Sequence, residues 1–335
     1  MTRKRLVWLV ICILMSVATR GPGAEPEGRI RAGLLGLDTS HVIQFTRHMN
    51  DPKATDARAD VEIVAGFPAG SPDMPRSANR IERYTSQLRD EMGVEIVHSI
   101  DELLARVDAV LLTSVDGRVH LEQVKPVFDA EKPVFLDKPA AANLAEVVAI
   151  YRLAEEHDVP IFSSSIRRFN PRVEEAMAPQ RVGEVVGCDA FSQTYNGRHH
   201  SEIWFTGMHG VEMIYRIMGR GCESVACVET NRLYFATGVW KDGRVGTWRG
   251  IRTKTRAAGK GGYGVTVFGT QAIATTGSMS HHMGYKPLTV AIAEFFKSGK
   301  PPVDPQETIE LYAFLEAAEQ SKRQGGAPVR IEFRR

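Results

Sequence analysis

Short apolar stretches alternate with helical ones between residues 30 and 165, and this alternation constrains the fold more than any other feature. The apolar stretches are rich in β-branched residues and lack the period-two polarity of a sheet with one solvated face. Strands of this kind, separated by helices, predict an α/β fold with a doubly wound parallel sheet of the Rossmann type. The predicted strands are Ile30 to Leu37, Val61 to Phe67, Val94 to Val97, Ala109 to Thr113, Val134 to Leu136 and Ile161 to Ser165.

After Arg168 the pattern changes to strands joined by short turns that contain glycine. This predicts a C-terminal α+β domain with an open, mostly antiparallel sheet, whose last helix packs back on the first domain. We place the dinucleotide-binding domain at 29–166 and the substrate and oligomerisation domain at 167–335. The predicted strands are Val185 to Thr194, Ser224 to Asn231, Leu233 to Ala236, Arg244 to Arg249 and Val265 to Phe268, and the helices lie near Gly207 to Met218, Pro287 to Ser298 and Pro305 to Gln324.

The N-terminus has the organisation of a secretory signal. Three basic residues precede the apolar run Leu6 to Met15, and the small-residue sequence Ser16-Val17-Ala18 follows. The run is shorter than the ~20 apolar residues that span a bilayer. We therefore expect 1–18 to be a signal peptide, 19–28 a polar tether, and the protein to be exported to the periplasm or the extracellular space.

The charge balance indicates no nucleic-acid or membrane-surface partner. The chain has 42 basic and 40 acidic residues, and loss of the signal removes three basic residues and no acidic one, so the net charge becomes 39 − 40 = −1. Three cysteines would remain, at positions 188, 222 and 227. Buried thiols are the simplest expectation for them, and a disulfide between Cys222 and Cys227 stays possible in an exported protein.

The turn after the first strand departs from the glycine-rich pattern of dinucleotide-binding folds. Gly36 holds the place of the first glycine, but Asp38 and His41 stand at the second and third. A carboxylate repels a pyrophosphate, and Cβ atoms obstruct a close approach of the backbone. Two interpretations remain open. Either the cofactor binds in an altered pose with Thr39 and Ser40 as donors, or the pocket has lost its dinucleotide.

Two other expected features of a dinucleotide site are displaced. The second strand ends in Phe67, where an acid usually holds a ribose hydroxyl, and Asp73 would reach that position only by loop movement. The string Gly259 to Gly264 matches G-x-G-x-x-G, but it precedes a strand instead of joining a strand to a helix. It is therefore interpreted as a hairpin turn.

Lys138 follows the strand Val134 to Leu136 at its carboxyl end, where ligands gather in a parallel sheet. There, beside Pro139, it would place an ammonium against a substrate hydroxyl; alternatively, it only caps the strand. Asp116 and His120 follow the fourth strand at the same edge. They would face the same cleft, or serve as a loop acid and a helix cap.

His209 and Glu212 lie three residues apart on a predicted helix and so share a face. A histidine with a neighbouring carboxylate and a lysine is suited to proton transfer during hydride transfer, although the alternative is a core histidine. Nearby His199, His200 and Glu202 raise a minor metal-binding alternative. Without a helical His-x-x-x-His or a cysteine partner, no metal is assigned.

Together these motifs resemble the Gfo/Idh/MocA family, which includes glucose–fructose oxidoreductase and inositol dehydrogenase. The likeness covers nearly the whole chain after the predicted signal. The matching pieces are Gly33-Leu-Leu-Gly36, the loop ending at His120, Asp137-Lys138-Pro139, Arg168-Phe169, Gly183 to Val186, His209 and the closing helix within Pro301 to Arg330.

The resemblance implies an NAD(P)-dependent oxidoreductase that acts on a sugar, polyol or related hydroxyl compound. It implies that Lys138 binds and polarises the reacting group and that His209 shuttles its proton. The cofactor is expected to be NAD or NADP. We assign cofactor contacts to Gly36, Asp38, Thr39, Ser40, His41, Ser114, His120 and Asp137, and substrate contacts to Asp116, Arg168 and Glu212.

Phe205 stands four residues before His209, where the family usually has an aspartate. Together with the altered turn, this keeps two alternatives to the oxidoreductase open. One is a non-catalytic carbohydrate-binding or scaffold protein, and the other is a hydrolase or lyase that uses Asp38, His41 and His209. In each case we expect self-association through the open sheet of the second domain.

Overall fold

The computed structural model describes residues 28–195, 199–252, 262–279 and 284–332. The predicted signal peptide, residues 19–27 of the tether and residues 259–261 of the glycine string lie outside these ranges. Within the described ranges, no helix is both long and apolar enough to cross a membrane.

The first domain is a six-stranded parallel sheet with the order β3-β2-β1-β4-β5-β6. The order reverses between β1 and β4, which is the switch point where such sheets bind ligands. The strands are β1 Ile30–Leu35, β2 Val61–Phe67, β3 Glu95–Ile96, β4 Ala109–Leu112, β5 Val134–Asp137 and β6 Ile161–Ser164. The helices are α1 His41–Met49, α2 Pro75–Ala78, α3 Ile81–Met92, α4 Ile100–Leu104, α5 His120–Asp129 and α6 Leu144–Glu156. The predicted doubly wound sheet is confirmed.

The central strands form because they are apolar on both faces. Every residue of β4 and β5 is buried, as expected for strands with helices on both sides. Asn143 is the N-cap of α6, and its side-chain oxygen accepts a hydrogen bond of 2.9 Å from the Glu146 N–H.

The second domain is built on a seven-stranded sheet with the order β12-β11-β7-β10-β9-β8-β13. Only β7 and β10 are parallel neighbours, so the predicted mostly antiparallel sheet is confirmed. The strands are β7 Val185–Thr194, β8 Cys222–Glu229, β9 Leu233–Trp240, β10 Val245–Arg252, β11 Tyr263–Gly269, β12 Ile273–Thr275 and β13 Val329–Arg330. The helices are α7 Pro171–Met177, α8 Pro179–Val182, α9 Met208–Met218, α10 Tyr285–Ser298 and α11 Pro305–Arg323. The three described cysteines are buried free thiols, as expected.

Two helices of the second domain, α10 and α11, pack on the first domain. α11 packs on α6, and the Ala140 N–H donates a hydrogen bond of 2.6 Å to the Tyr312 hydroxyl, so the predicted packing of the last helix is confirmed. α10 packs on α1, where Tyr285 meets the rings of His41 and Phe45. The sequence did not predict this second attachment.

The stretch from Ser77 to Glu91 has the composition of one helix, but the structure has two helices here, α2 and α3. Ser77 is fully buried in α2, and its hydroxyl accepts a hydrogen bond of 2.8 Å from the Ser71 N–H. This contact ties the loop before α2 to the helix. The short elements α7, α8, β12 and β13 were not predicted.

Candidate active site

A cavity of about 140 Å³ lies where the two domains meet, beyond the carboxyl ends of β1 and β5. It brings together Lys138 of the first domain and His209 of the second, each only 8% exposed. The lining residues are Thr39, Ser40, His41, Gln44, Arg76, Arg80, Val115, Lys138, Ile166, Arg167, Tyr195, His209 and Tyr285.

Lys138 is placed by the end of β5. Its backbone N–H donates a hydrogen bond of 2.8 Å to the Asp137 carboxylate, and its ammonium lies 5.8 Å from the centre of the Phe205 ring. Burial lowers the pKa of Lys138, and the charges of Arg76 and Arg167 act in the same direction, against the opposing charge of Asp137. This ammonium therefore gives up its proton more readily than an ordinary lysine.

Asp137 links β5 to the start of α1. Its second oxygen lies 2.5 Å from His41 Nδ1, which donates to it. Burial alone would raise the pKa of Asp137, but the charge and hydrogen bond of His41 outweigh burial, so the pKa is lowered. The pair fixes the His41 ring at the cavity wall.

The helix α9, which carries His209 to the cavity, packs closely on the second sheet. Two glycines at the start of the helix face the Trp248 indole, and a Cβ at Gly210 would lie 2.2 Å from this ring, while one at Gly207 would lie 2.6 Å from it. A π-helical turn, Ile203–Gly207, precedes α9. Such turns are frequent at functional sites.

Glu212 and Arg168 point away from the cavity into the interior between the domains. Glu212 accepts hydrogen bonds from the Ser164 hydroxyl at 2.5 Å and the Ser165 N–H at 3.0 Å. Burial raises the pKa of Glu212. Arg168 pairs with Glu307 at 2.6 Å. The structure therefore does not bring these two predicted substrate contacts to the cavity.

The segment of residues 68–80, here called the crossing segment, lies over the carboxyl ends of β1 and β4. Met74 packs against Val115 and Phe205, and all three side chains are buried. Beneath the segment, one oxygen of Asp38 accepts a hydrogen bond of 2.8 Å from the Val115 N–H, and its other oxygen is buried without a hydrogen-bond partner among the described residues. Burial raises the pKa of Asp38 to about 6.

Asp116, a predicted substrate contact, belongs to a buried ion network under the same segment. Its oxygens lie 2.6 Å from Arg118 and 2.9 Å from His200. Burial alone would raise the pKa of Asp116, but hydrogen bonds from these two residues hold it well below its usual range. Asp73 pairs with Arg118 at 2.9 Å, so it does not reach toward a ribose position. Within the described ranges, no three His, Cys, Asp or Glu side chains are grouped as metal ligands.

Ser114 and His120, two further predicted cofactor contacts, follow β4 and are also buried in the protein interior. Ser114 is fully buried against Gly36, which has φ +94°, and a Cβ at Gly36 would lie 2.2 Å from the Ser114 hydroxyl. This close approach explains the glycine. The His120 ring nitrogens lie 3.1 Å from the Ala140 carbonyl and 2.8 Å from that of Ser114, and burial lowers the pKa of His120. The alternative interpretation of His120 as a structural imidazole therefore fits better.

The residues at the cavity suit the phosphates of a dinucleotide but not its ribose. Thr39 and Ser40 bring the N-terminus of α1 to the cavity, and the Ser40 side chain makes no capping hydrogen bond, so this end suits a phosphate. Phe67 provides no acceptor for the ribose. The crossing segment covers the neighbouring ends of β1 and β4, and the cavity is smaller than the ~300–1,000 Å³ of usual ligand pockets.

Comparison with known proteins agrees with this architecture. Residues 74–164 match the model of the oxidoreductase family with an NAD-binding Rossmann fold, Gfo/Idh/MocA. Over this stretch the chain is similar to the Gfo/Idh/MocA oxidoreductases. The matched stretch begins after β2, so the divergent turn at Gly36 lies outside it.

Two curated relatives are dehydrogenases. The chain is 33% identical over 157 residues to the myo-inositol dehydrogenase Hyg17 of Streptomyces leeuwenhoekii, covering 44% of this chain and 46% of the relative. It is 27% identical over 129 residues to a D-xylose 1-dehydrogenase (NADP(+)) of Haloferax volcanii, covering 37% and 39%. The chain thus matches less than half the length of each.

Solved structures are similar over a larger part of the chain. Apo scyllo-inositol dehydrogenase from Lactobacillus casei superposes with a TM-score of 0.73 at 14% identity, covering 92% of this chain and 99% of that one. The same enzyme with bound NAD(H) and scyllo-inositol gives 0.72 at 14% identity, covering 90% and 99%. At this identity the likeness establishes the fold.

Proposed function

We propose that the protein is an NAD(P)-dependent oxidoreductase that transfers a hydride between a nicotinamide cofactor and a hydroxyl or carbonyl group of a sugar- or polyol-like compound. The shared cavity of Lys138 and His209 carries this proposal, because a cation and an imidazole from separate domains converge there. The family match and the named activities of the relatives support the reaction class.

The residues of the cavity have separate roles in the proposed reaction. When bound, the cofactor supplies the hydride acceptor, and the N-terminus of α1 with Thr39 and Ser40 would hold its phosphates. Lys138 donates a hydrogen bond to the reacting oxygen and stabilises negative charge that develops on it. His209 takes the hydroxyl proton as the carbonyl forms, and returns it in the reverse direction.

The cellular setting and assembly form part of the proposal. An exported enzyme, with 1–18 removed as a signal, needs a cofactor that is bound tightly during folding, because free NAD(P) is scarce outside the cytoplasm. Self-association through the second sheet is supported by its surface. Within the described ranges, all the exposed large apolar side chains lie on strands of this sheet: Val186, Val228, Val239, Val245, Ile251 and Ile273.

The test is to denature purified, undialysed protein and measure released nicotinamide nucleotide, and then to follow NAD(P)H formation with a panel of polyols and sugars. We expect released nucleotide, or a rise in melting temperature with added NAD(P)H. We also expect turnover that Lys138→Met and His209→Asn abolish. Protein that is empty, gains no stability from NAD(P)H and turns over no member of the panel contradicts the proposal.

A second function is favoured by the crossing segment and by Phe67. It is a carbohydrate-binding protein that keeps the cleft between the domains without a dinucleotide. It predicts that saccharides raise the melting temperature while NAD(P)H does not. Under this function Lys138→Met weakens saccharide binding and there is no turnover to lose. Hydride transfer by the wild-type protein that disappears in Lys138→Met rules this function out.

A further inference from the structure

We infer that the compound recognised by this cavity carries an anionic group, a carboxylate or a phosphate, close to its reacting hydroxyl. The inference takes the reacting hydroxyl from the proposed function, on which it rests. The anionic group is inferred separately, from the charges of the cavity. Four cationic side chains line it, namely Arg76, Arg80, Lys138 and Arg167, and among the described lining residues none is Asp or Glu.

Aromatic rings, and not carboxylates, accompany the two cations nearest the reaction centre. The Arg76 guanidinium lies 5.2 Å from the centre of the Phe205 ring and 5.1 Å from that of Tyr195, and the Lys138 ammonium lies 5.8 Å from the same Phe205 ring. An aromatic ring stabilises a cation without neutralising its charge. Phe205 therefore leaves the positive charge of the cavity available to a ligand.

Neither cation is neutralised within the described ranges. Arg76 Nε is buried and has no hydrogen-bond partner there, and no carboxylate oxygen lies within ion-pair distance of the Lys138 ammonium. Asp137, the carboxylate whose charge acts on Lys138, is engaged by the His41 ring and by the Lys138 backbone. Two buried arginines elsewhere are paired with carboxylates, Arg58 with Asp56 at 2.7 Å and Arg168 with Glu307 at 2.6 Å. The contrast indicates that the partner of these cations is a ligand.

The geometry favours a small oxyanion. A guanidinium is a planar fork that matches carboxylate and phosphate oxygens, and that of Arg76 lines the same cavity as the Lys138 ammonium. Because Arg76 and Lys138 share the Phe205 ring, the anion would lie beside the reacting hydroxyl. The compound class is then a sugar acid or sugar phosphate, and not a neutral polyol.

Calorimetric titration tests this inference with D-glucuronate and D-glucose 6-phosphate, each compared with D-glucose. We expect at least one anionic compound to bind more tightly than glucose. We expect Arg76→Gln to weaken that binding about 10- to 100-fold, the loss of a charge-assisted hydrogen bond, while its melting temperature stays near that of the wild type. Arg83→Gln, an exposed arginine over Tyr84 on α3, is the matched control and should leave the affinity unchanged.

The outcomes separate this inference from the proposed function. If no anionic compound binds more tightly than glucose, the inference is wrong, even if a neutral sugar is oxidised. If Arg76→Gln weakens NADH binding and leaves glucuronate binding intact, Arg76 serves the cofactor and the inference is also wrong. Anion binding that depends on Arg76, without NAD(P)H formation from any compound, supports the inference and contradicts the oxidoreductase.

Discussion

Replacing Asp38 with asparagine tests whether this carboxyl group is a buried structural element of the first turn. Burial raises its pKa from 3.8 to about 6, so the folded state holds the proton more tightly than the unfolded chain. The stability that this group contributes is therefore complete below about pH 4 and is lost as the pH rises through about 6. A pKa change of this size corresponds to about 3 kcal/mol over the full range.

We expect Asp38→Asn to keep the acceptor for the Val115 N–H and to remove the titration. Between about pH 5 and pH 8 the free energy of unfolding of the variant, relative to wild type, should rise by about 1.4 kcal/mol. Urea denaturation followed by tryptophan fluorescence measures this difference at each pH.

Asp56→Asn is the control for this experiment. The hydrogen bond from Arg58 lowers the pKa of Asp56, so both its folded and unfolded forms are ionised throughout this pH range. Its effect on the free energy of unfolding should be the same at both pH values. An equally constant effect for Asp38→Asn would refute the burial of that carboxyl group.

Three further predictions concern the turn, the cation site and the second sheet. Gly36→Ala should lower the free energy of unfolding by about 2–5 kcal/mol, because alanine is strained at this left-handed φ and its Cβ would clash with Ser114. Gly93→Ala is the control: Gly93 has φ +70° but open space around it, so the loss should be only about 1–2 kcal/mol. Equal losses in urea denaturation would contradict the close approach of Gly36 to Ser114. Phe205→Asp should move the limb of the pH–rate profile that reports Lys138 about one pH unit higher, and an unmoved limb would show that this ammonium does not titrate in the reaction. Val239→Lys should convert an oligomer to a monomer by light scattering, and an unchanged mass would exclude this part of the sheet as the interface.

Most of the fold was predictable because its signals are local. The strands β2 and β7 begin and end where the sequence predicted, since their apolar runs are bounded by turns. The separation of α2 from α3 was not predicted, and the hydrogen bond that holds Ser77 of α2 to Ser71 exists only in the folded protein. The packing of α10 on the first domain also depends on tertiary structure.

The sequence predicted the location of two of the side chains that line the cavity. Position at a strand end placed Lys138 correctly at the cavity, and the family resemblance did the same for His209. Asp38, Asp116 and His120 also follow strand ends, but they are fully buried and do not line this cavity. The rule identifies an edge of the sheet and not which side chains other segments cover.

The cationic part of the cavity was missed altogether. Arg76 lies in a stretch without a motif, and Arg167 is adjacent to the arginine that the family resemblance selected. The available sequence signal for a cationic cavity was Phe205, which stands where the family usually has an aspartate. It was interpreted as a loss of catalytic equipment, and not as a change in the charge of the ligand.

The most direct test of the central claim is a double-mutant cycle on kcat/KM for hydride transfer with Lys138→Met and His209→Asn. If the two groups act on one oxygen in one cavity, the losses of kcat/KM in the two single variants are strongly non-additive. The kcat/KM of the double variant is then only slightly below that of the less active single variant. Losses that multiply as for independent sites would contradict the account.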